Sequence, residues 1–110
     1  LAVPFNDSCD MAGLCQKLGA ELIIVTRANL GTLNHTFLSL EYAEKFSLKP
    51  YIIISGCHNE PDAIEFDNLQ MIDKRSSGRV IAEVRHLDGL DTEDFSGAQL
   101  PEVNWNAGLL

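Results

Sequence analysis

Gly31, Thr32, Asn34 and His35 fall within five residues of one another, between an apolar run and a helical stripe, and their types suit anion binding. The run before them, Glu21-Leu22-Ile23-Ile24-Val25-Thr26, is short, apolar and partly β-branched, as a buried parallel strand is. After them Leu33, Phe37, Leu40, Ala43 and Phe46 recur at spacings of three and four, the period of an amphipathic helix. A helix that starts just beyond the carboxyl end of a strand offers free backbone N–H groups and the positive end of its dipole. Both favour a carboxylate or a phosphate. Gly31 permits close backbone approach and an unusual φ, and Thr32 suits an N-cap. Asn34, in the first helical turn, carries a donor and an acceptor that serve a ligand's polar tail or the helix end equally well. His35 has the same two roles open to it. An ordinary strand–helix connection would use these residues too, so local chemistry leaves both interpretations standing.

Further polar groups lie in the loops at 55–61 and 85–91, which share an edge with the loop at 27–31 if the strands before them are parallel. Gly56 lets a flat base or a phosphate approach the backbone, or simply makes a turn. His58, Arg85 and His86 reach toward such a crevice or stand in solvent. Cys57-His58 resembles half of a metal site, but no second ligand pair follows at a usual spacing. No phosphate loop of the form G-x-x-x-x-G-K-[ST] occurs, and no Ser/His/Asp order or oriented Cys/His pair stands out. These residues supply parts of a binding site without a catalytic engine.

The elements that position these groups follow from pattern. In 110 residues there is room for one modest domain with a real core. Eight basic against sixteen acidic residues, a net charge of -8, exclude a nucleic-acid surface but not a nucleotide bound by backbone dipoles. No apolar stretch approaches a bilayer span, so no membrane partner is expected. Cys9, Cys15 and Cys57, odd in number and set among core-like or loop residues, point to small buried hydrophobes in a reduced, cytoplasmic setting. Ala2-Val3-Pro4-Phe5 ends a first strand, and Asp10 caps a helix that stops at Gly19. A strand over 21–26, a helix from Thr32 to about Phe46 and a strand at Tyr51-Ile52-Ile53-Ile54 follow. A third helix spans about 62–74 with apolar positions Ile64, Phe66, Leu69 and Ile72, and a last strand covers 79–84. Asp91 or Thr92 starts a short helix, and Trp105 packs a terminal segment back onto the body. The order β-α-β-α-β-α-β predicts an α/β fold with a three-layer, Rossmann-like parallel sheet. Opening directly on Leu1-Ala2-Val3-Pro4, it reads as a single domain that is the C-terminal part of a larger sheet.

The segment Leu22-Ile23-Ile24-Val25-Thr26-Arg27-Ala28-Asn29-Leu30-Gly31-Thr32-Leu33-Asn34-His35-Thr36 resembles the dethiobiotin synthetase family, whose G-T-[IL]-N-H core it contains. The tail Asn104-Trp105-Asn106-Ala107-Gly108-Leu109-Leu110 is similar to one branch of that family, and the likeness covers essentially the whole chain. The resemblance implies a P-loop NTPase-like fold and a cytoplasmic homodimeric ligase of biotin biosynthesis. That enzyme uses ATP and Mg2+ to carboxylate 7,8-diaminopelargonate with CO2 and close the ureido ring. The phosphate loop, catalytic lysines and Mg-binding acids belong to the family's N-terminal half, so this chain is expected to need a complementary half and to hold no catalytic residue or metal ligand itself. Carried over by position, Leu30, Gly31, Thr32, Leu33 and Asn34 would bind the substrate's tail carboxylate across the dimer interface. Ser55, Gly56, Cys57, Arg85 and His86 would meet the nucleotide base. Many members have Asn at the place of Gly56, and a proline near Arg85-His86, so the preference for ATP over another NTP is open. A non-catalytic ligand-binding or dimerisation module of the same fold, or a cobyrinate-synthase-type amidoligase fragment, are the alternatives.

Overall fold

The computed structural model describes residues 1–87 and 102–106. Its first feature is a small hairpin: β1 (Pro4–Asn6) pairs antiparallel with β2 (Cys9–Asp10) around a turn in which the Asn6 side chain accepts from the Ser8 N–H at 3.0 Å. The first expected strand therefore does not join the main sheet. Its pairing partner is the segment immediately after the turn, which sequence periodicity does not reveal. Helix α1 (Met11–Leu18) begins where Asp10 accepts from the Gly13 N–H at 2.8 Å and ends at Gly19, whose φ of +62° is left-handed. The Tyr42 hydroxyl donates to the Asp10 carboxylate, and the Gln16 amide donates to the Phe46 carbonyl at 2.8 Å. These bonds tie α1 to the helix that follows.

That helix is α2 (Thr32–Lys45), between β3 (Ile23–Arg27) and β4 (Tyr51–Cys57); α3 (Ala63–Arg75) then leads to β5 (Val80–Arg85), and β6 (Val103–Trp105) completes the set. The strands lie in the order β3-β4-β5-β6, the first three parallel and β6 antiparallel on β5. The α/β class and the parallel core of the sheet are as the pattern predicts. The terminal segment does return to the body, but through backbone bonds: the Arg85 N–H donates to Glu102 and the Asn106 N–H to Ile81. The Trp105 side chain stays exposed. The short helix expected at Asp91 or Thr92 lies outside the described residues.

Register fixes the faces. Ile24 pairs with Ile52, and Ile52 with Val80, and paired residues of parallel strands share a face. On that face Ile52, Ile54 and Val80 are buried with Leu40 of α2 and Ile72 of α3, and Leu33, Phe37 and Leu69 pack against them. Among the described residues the opposite face of β3 is bare: Ile23 and Val25 are 48% and 65% exposed. The topology explains this. The chain steps β3, β4, β5 in one direction, and right-handed crossovers made in one direction deliver their helices to the same side. Helix α3 is rotated from the stripe the sequence suggests. Ile64 and Phe66 are exposed, whereas Glu65, Asn68 and Ile72 face inward. Two polar residues are buried there because each finds partners on neighbouring loops.

Candidate functional site

The β3–α2 junction presents backbone. Gly31 is the N-cap of α2 with φ +90°, and no side chain caps the helix. A residue with a Cβ is strained at that φ, which explains the glycine. The cap expected from Thr32 is not made. Its hydroxyl lies 2.7 Å from that of Thr26 and 3.3 Å from that of Thr36, and Thr26 and Thr36 are 2.5 Å apart. Thr32 and Thr36 are buried, so the three hydroxyls satisfy one another where the strand end meets the first helical turn. The outcome is a helix start whose N–H groups are not covered by a side chain.

In front of it lies an open hollow of about 400 Å³ whose lining includes Arg27, Asn29, Leu30, Gly31, Thr32 and His35. Three of the five residues assigned to a carboxylate, Leu30, Gly31 and Thr32, therefore border this space. Leu33 turns inward against the core, and Asn34 is exposed beside the hollow rather than lining it. Arg27 was not among the sequence candidates. Its sequence signal is a cation directly after the apolar run 21–26 and four residues ahead of Gly31.

The ends of β4 and β5 present side chains instead. β4 runs on through Gly56 to Cys57, and Gly56 takes φ +80° where the register with β5 shifts. Asp62 caps α3 by accepting from the Glu65 N–H at 2.8 Å. Glu65 then reaches back: one carboxylate oxygen accepts from the His58 N–H at 2.8 Å, and the other lies 2.7 Å from His58 Nδ1. Arg85 donates to the His58 carbonyl at 2.8 Å, the His86 N–H donates to the Cys57 carbonyl at 2.8 Å, and the two imidazole rings sit 5.3 Å apart. Gly56, Cys57, Arg85 and His86 are thus brought to one place, and Ser55 lies one step back in register with Val84. Burial, reinforced by the negative charges of Glu83 and Glu65, pushes the Cys57 thiol up to about 11. It is a neutral, buried group at physiological pH, unsuited to nucleophilic attack. Among the described residues, Arg85 Nε is buried without a hydrogen-bond partner.

Asn68, one turn after Glu65, donates to the carbonyls of Ala28 at 3.0 Å and Asn29 at 3.3 Å. Helix α3 therefore touches both strand-end loops through two buried polar residues that sequence periodicity assigns to neither. Among the described residues no three His, Cys, Asp or Glu side chains converge as a metal ion requires. No helix of the described residues is long and apolar enough to cross a membrane.

Residues 1–94 match a protein family described as an AAA domain. The chain is 43% identical over 89 residues to an ATP-dependent dethiobiotin synthetase of Anoxybacillus flavithermus, a match covering 79% of this chain and 40% of that protein. A protein of the same name from Bacillus subtilis subsp. natto is 39% identical over 75 residues, covering 67% of this chain and 32% of its own length. One from Bacillus velezensis is 30% identical over 96 residues, covering 86% of this chain. The matched region spans no more than 41% of the length of these curated relatives. By the match over residues 1–94 and the identities of 30% to 43%, the chain belongs to the dethiobiotin synthetase family of AAA-domain proteins.

Proposed function

We propose that this chain is the part of an ATP-dependent dethiobiotin synthetase that holds the tail carboxylate of 7,8-diaminopelargonate and the base of the nucleotide. The observation that carries the proposal is the β3–α2 junction: an uncapped helix start at a left-handed Gly31, fronted by a hollow that Arg27 also borders. A carboxylate placed there meets backbone N–H groups, the helix dipole and a guanidinium together. Arg27 and the N–H groups bind and orient the substrate's tail, leaving the opposite, amine-bearing end to be carboxylated with CO2 and closed at the expense of ATP. Leu30, 82% exposed at the rim, suits a hollow completed by a second subunit across a homodimer interface. The setting proposed is cytoplasmic.

The second site also fits its group. A Cβ at Gly56 would meet nothing within 4 Å, so the backbone there is open to a flat ring, and the His58 and His86 rings flank the same strand ends. Bound ATP would supply the phosphoryl group that activates the carboxylated substrate; these residues would hold the base. Mg2+ does not fit the described residues, which offer no converging set of ligands. The phosphate loop absent from residues 1–110 is assigned to a complementary N-terminal portion.

Amide chemical-shift mapping of the 15N-labelled chain tests this proposal. Diaminopelargonate should move Gly31, Thr32 and Asn34, and ATP should move Gly56, Cys57 and His86. If neither ligand shifts its own set at millimolar concentration, the proposal fails. If both shift but no dethiobiotin forms once a phosphate-loop portion is supplied, the chain is a binding module of the same fold.

A further inference from the structure

The loop between β3 and α2 is fastened at three places. Its two ends are joined by the Thr26 and Thr32 hydroxyls at 2.7 Å, and its middle is held by Asn68 of α3, whose amide donates to both Ala28 and Asn29. The Asn29 carbonyl also accepts from the Thr32 N–H at 3.3 Å, so the bond from α3 meets the turn that sets the helix start. Asn68 is 6% exposed on a helix face whose neighbours in the core are apolar. An apolar side chain would fill that position as well, but it would leave the two carbonyls without this donor.

We infer that Asn68 is a positioning residue for the substrate hollow: it acts through the Ala28 and Asn29 carbonyls to fix the loop so that Gly31 and the N–H groups of α2 that follow Thr32 face the ligand. The inference rests on the carboxylate assignment proposed above. It adds a residue on another element, 40 residues away from Ala28, with no part in lining the hollow. Glu65 lies three residues earlier on α3 and plays the matching part for His58, so one helix sets both loops from the same face.

Two variants of the full chain test it. Asn68→Ala removes the donor, and Asn68→Asp keeps the shape while placing an acceptor against two carbonyls. Calorimetry should give diaminopelargonate affinity about tenfold weaker in both, with ATP affinity within about twofold of the wild type, a split that loss of general stability does not produce. Amide hydrogen exchange at Asn29, Leu30 and Gly31 should accelerate. Lowering the pH toward about 5 should recover part of the affinity of the Asn68→Asp variant relative to the wild type, because a protonated carboxyl donates one hydrogen bond. If the wild type binds diaminopelargonate and the variants bind it equally well, the positioning role is overturned. If the wild type does not bind it, the carboxylate assignment falls instead, and unchanged loop exchange in the variants would then overturn the positioning role as well.

Discussion

The two strand-end regions solve the same problem with different materials. At the β3–α2 junction the groups offered outward are backbone, set by a left-handed glycine and three mutually bonded threonine hydroxyls. At the ends of β4 and β5 they are side chains, His58, Arg85 and His86, cross-linked to one another and to a buried Glu65. A backbone site favours a small anion whose shape varies little, because N–H groups and a dipole read charge more than outline. Rings and guanidinium groups read a flat, larger ligand through stacking and directed bonds. In the proposed function this difference gives the carboxylate to one end and the base to the other. It also separates what each region should tolerate.

The largest expected effect is at the side-chain end. Glu65→Ala removes the acceptor of a backbone N–H and the partner of an imidazole at a buried position, and should cost about 2–3 kcal/mol in urea unfolding. Glu65→Gln keeps an acceptor for the His58 N–H and should cost less. If Glu65→Ala is as stable as the wild type, the cross-linked description of this end is wrong.

Next come the two glycines, one in each region. Gly31→Ala puts a Cβ on a residue at φ +90° with nothing within 4 Å to clash, so its cost is conformational alone, about 1–2 kcal/mol. Gly56→Asn has the same open surroundings at φ +80°, but Asn tolerates left-handed backbone and should cost under about 1 kcal/mol. Thermal unfolding compares them directly. In the nucleotide assignment the new amide should also tighten ATP relative to other nucleotides, read by competition binding. Equal losses of stability in both variants would erase the contrast between the two ends.

A smaller change is expected at α1, which touches neither region. The Tyr42 hydroxyl, then the Gly13 N–H, hold the Asp10 carboxyl below its ordinary value. A carboxyl depressed in the folded state adds stability above its unfolded pKa of about 3.9 and loses it as pH falls through the folded value. Unfolding profiles should therefore fall off on the acid side below about pH 4, modestly because the pair is in reach of water. Asp10→Asn should flatten that part of the profile and leave both ligand sites unmoved.

How far these regions could be read from sequence follows from how local their signals are. Asp10 and Gly19 bracket α1, and the apolar runs of β3 and β4 stand out, because caps and periodicity are properties of neighbouring residues. Gly31 was visible for the same reason. Glu65 and Asn68 were not: their partners lie seven and as many as 40 residues away, and a buried polar residue has the look of a surface one until its partner is placed. The same blindness sets Ile64 and Phe66 on the apolar stripe of α3, where they are exposed, and offers Thr32 a capping role that its bonds to Thr26 and Thr36 replace. The first strand was misplaced because hairpin or sheet pairing at 4–6 depends on which edge the chain meets.

Asn34 gives the smallest stability effect and the sharpest division between the two interpretations of the β3–α2 junction. An amide in the first turn that capped the helix would cost about 1 kcal/mol when truncated to alanine. Here Gly31 is the N-cap, no side chain caps α2, and Asn34 is exposed, so no such bond is lost. Alanine also has the higher helix propensity, which offsets what little packing is removed. Asn34→Ala should therefore leave the unfolding free energy within about 0.5 kcal/mol of the wild type. Diaminopelargonate affinity decides the rest. A severalfold loss at constant stability makes Asn34 a ligand contact at the edge of the hollow. Unchanged affinity removes it from the site and leaves recognition of the carboxylate to Arg27 and the backbone at Gly31.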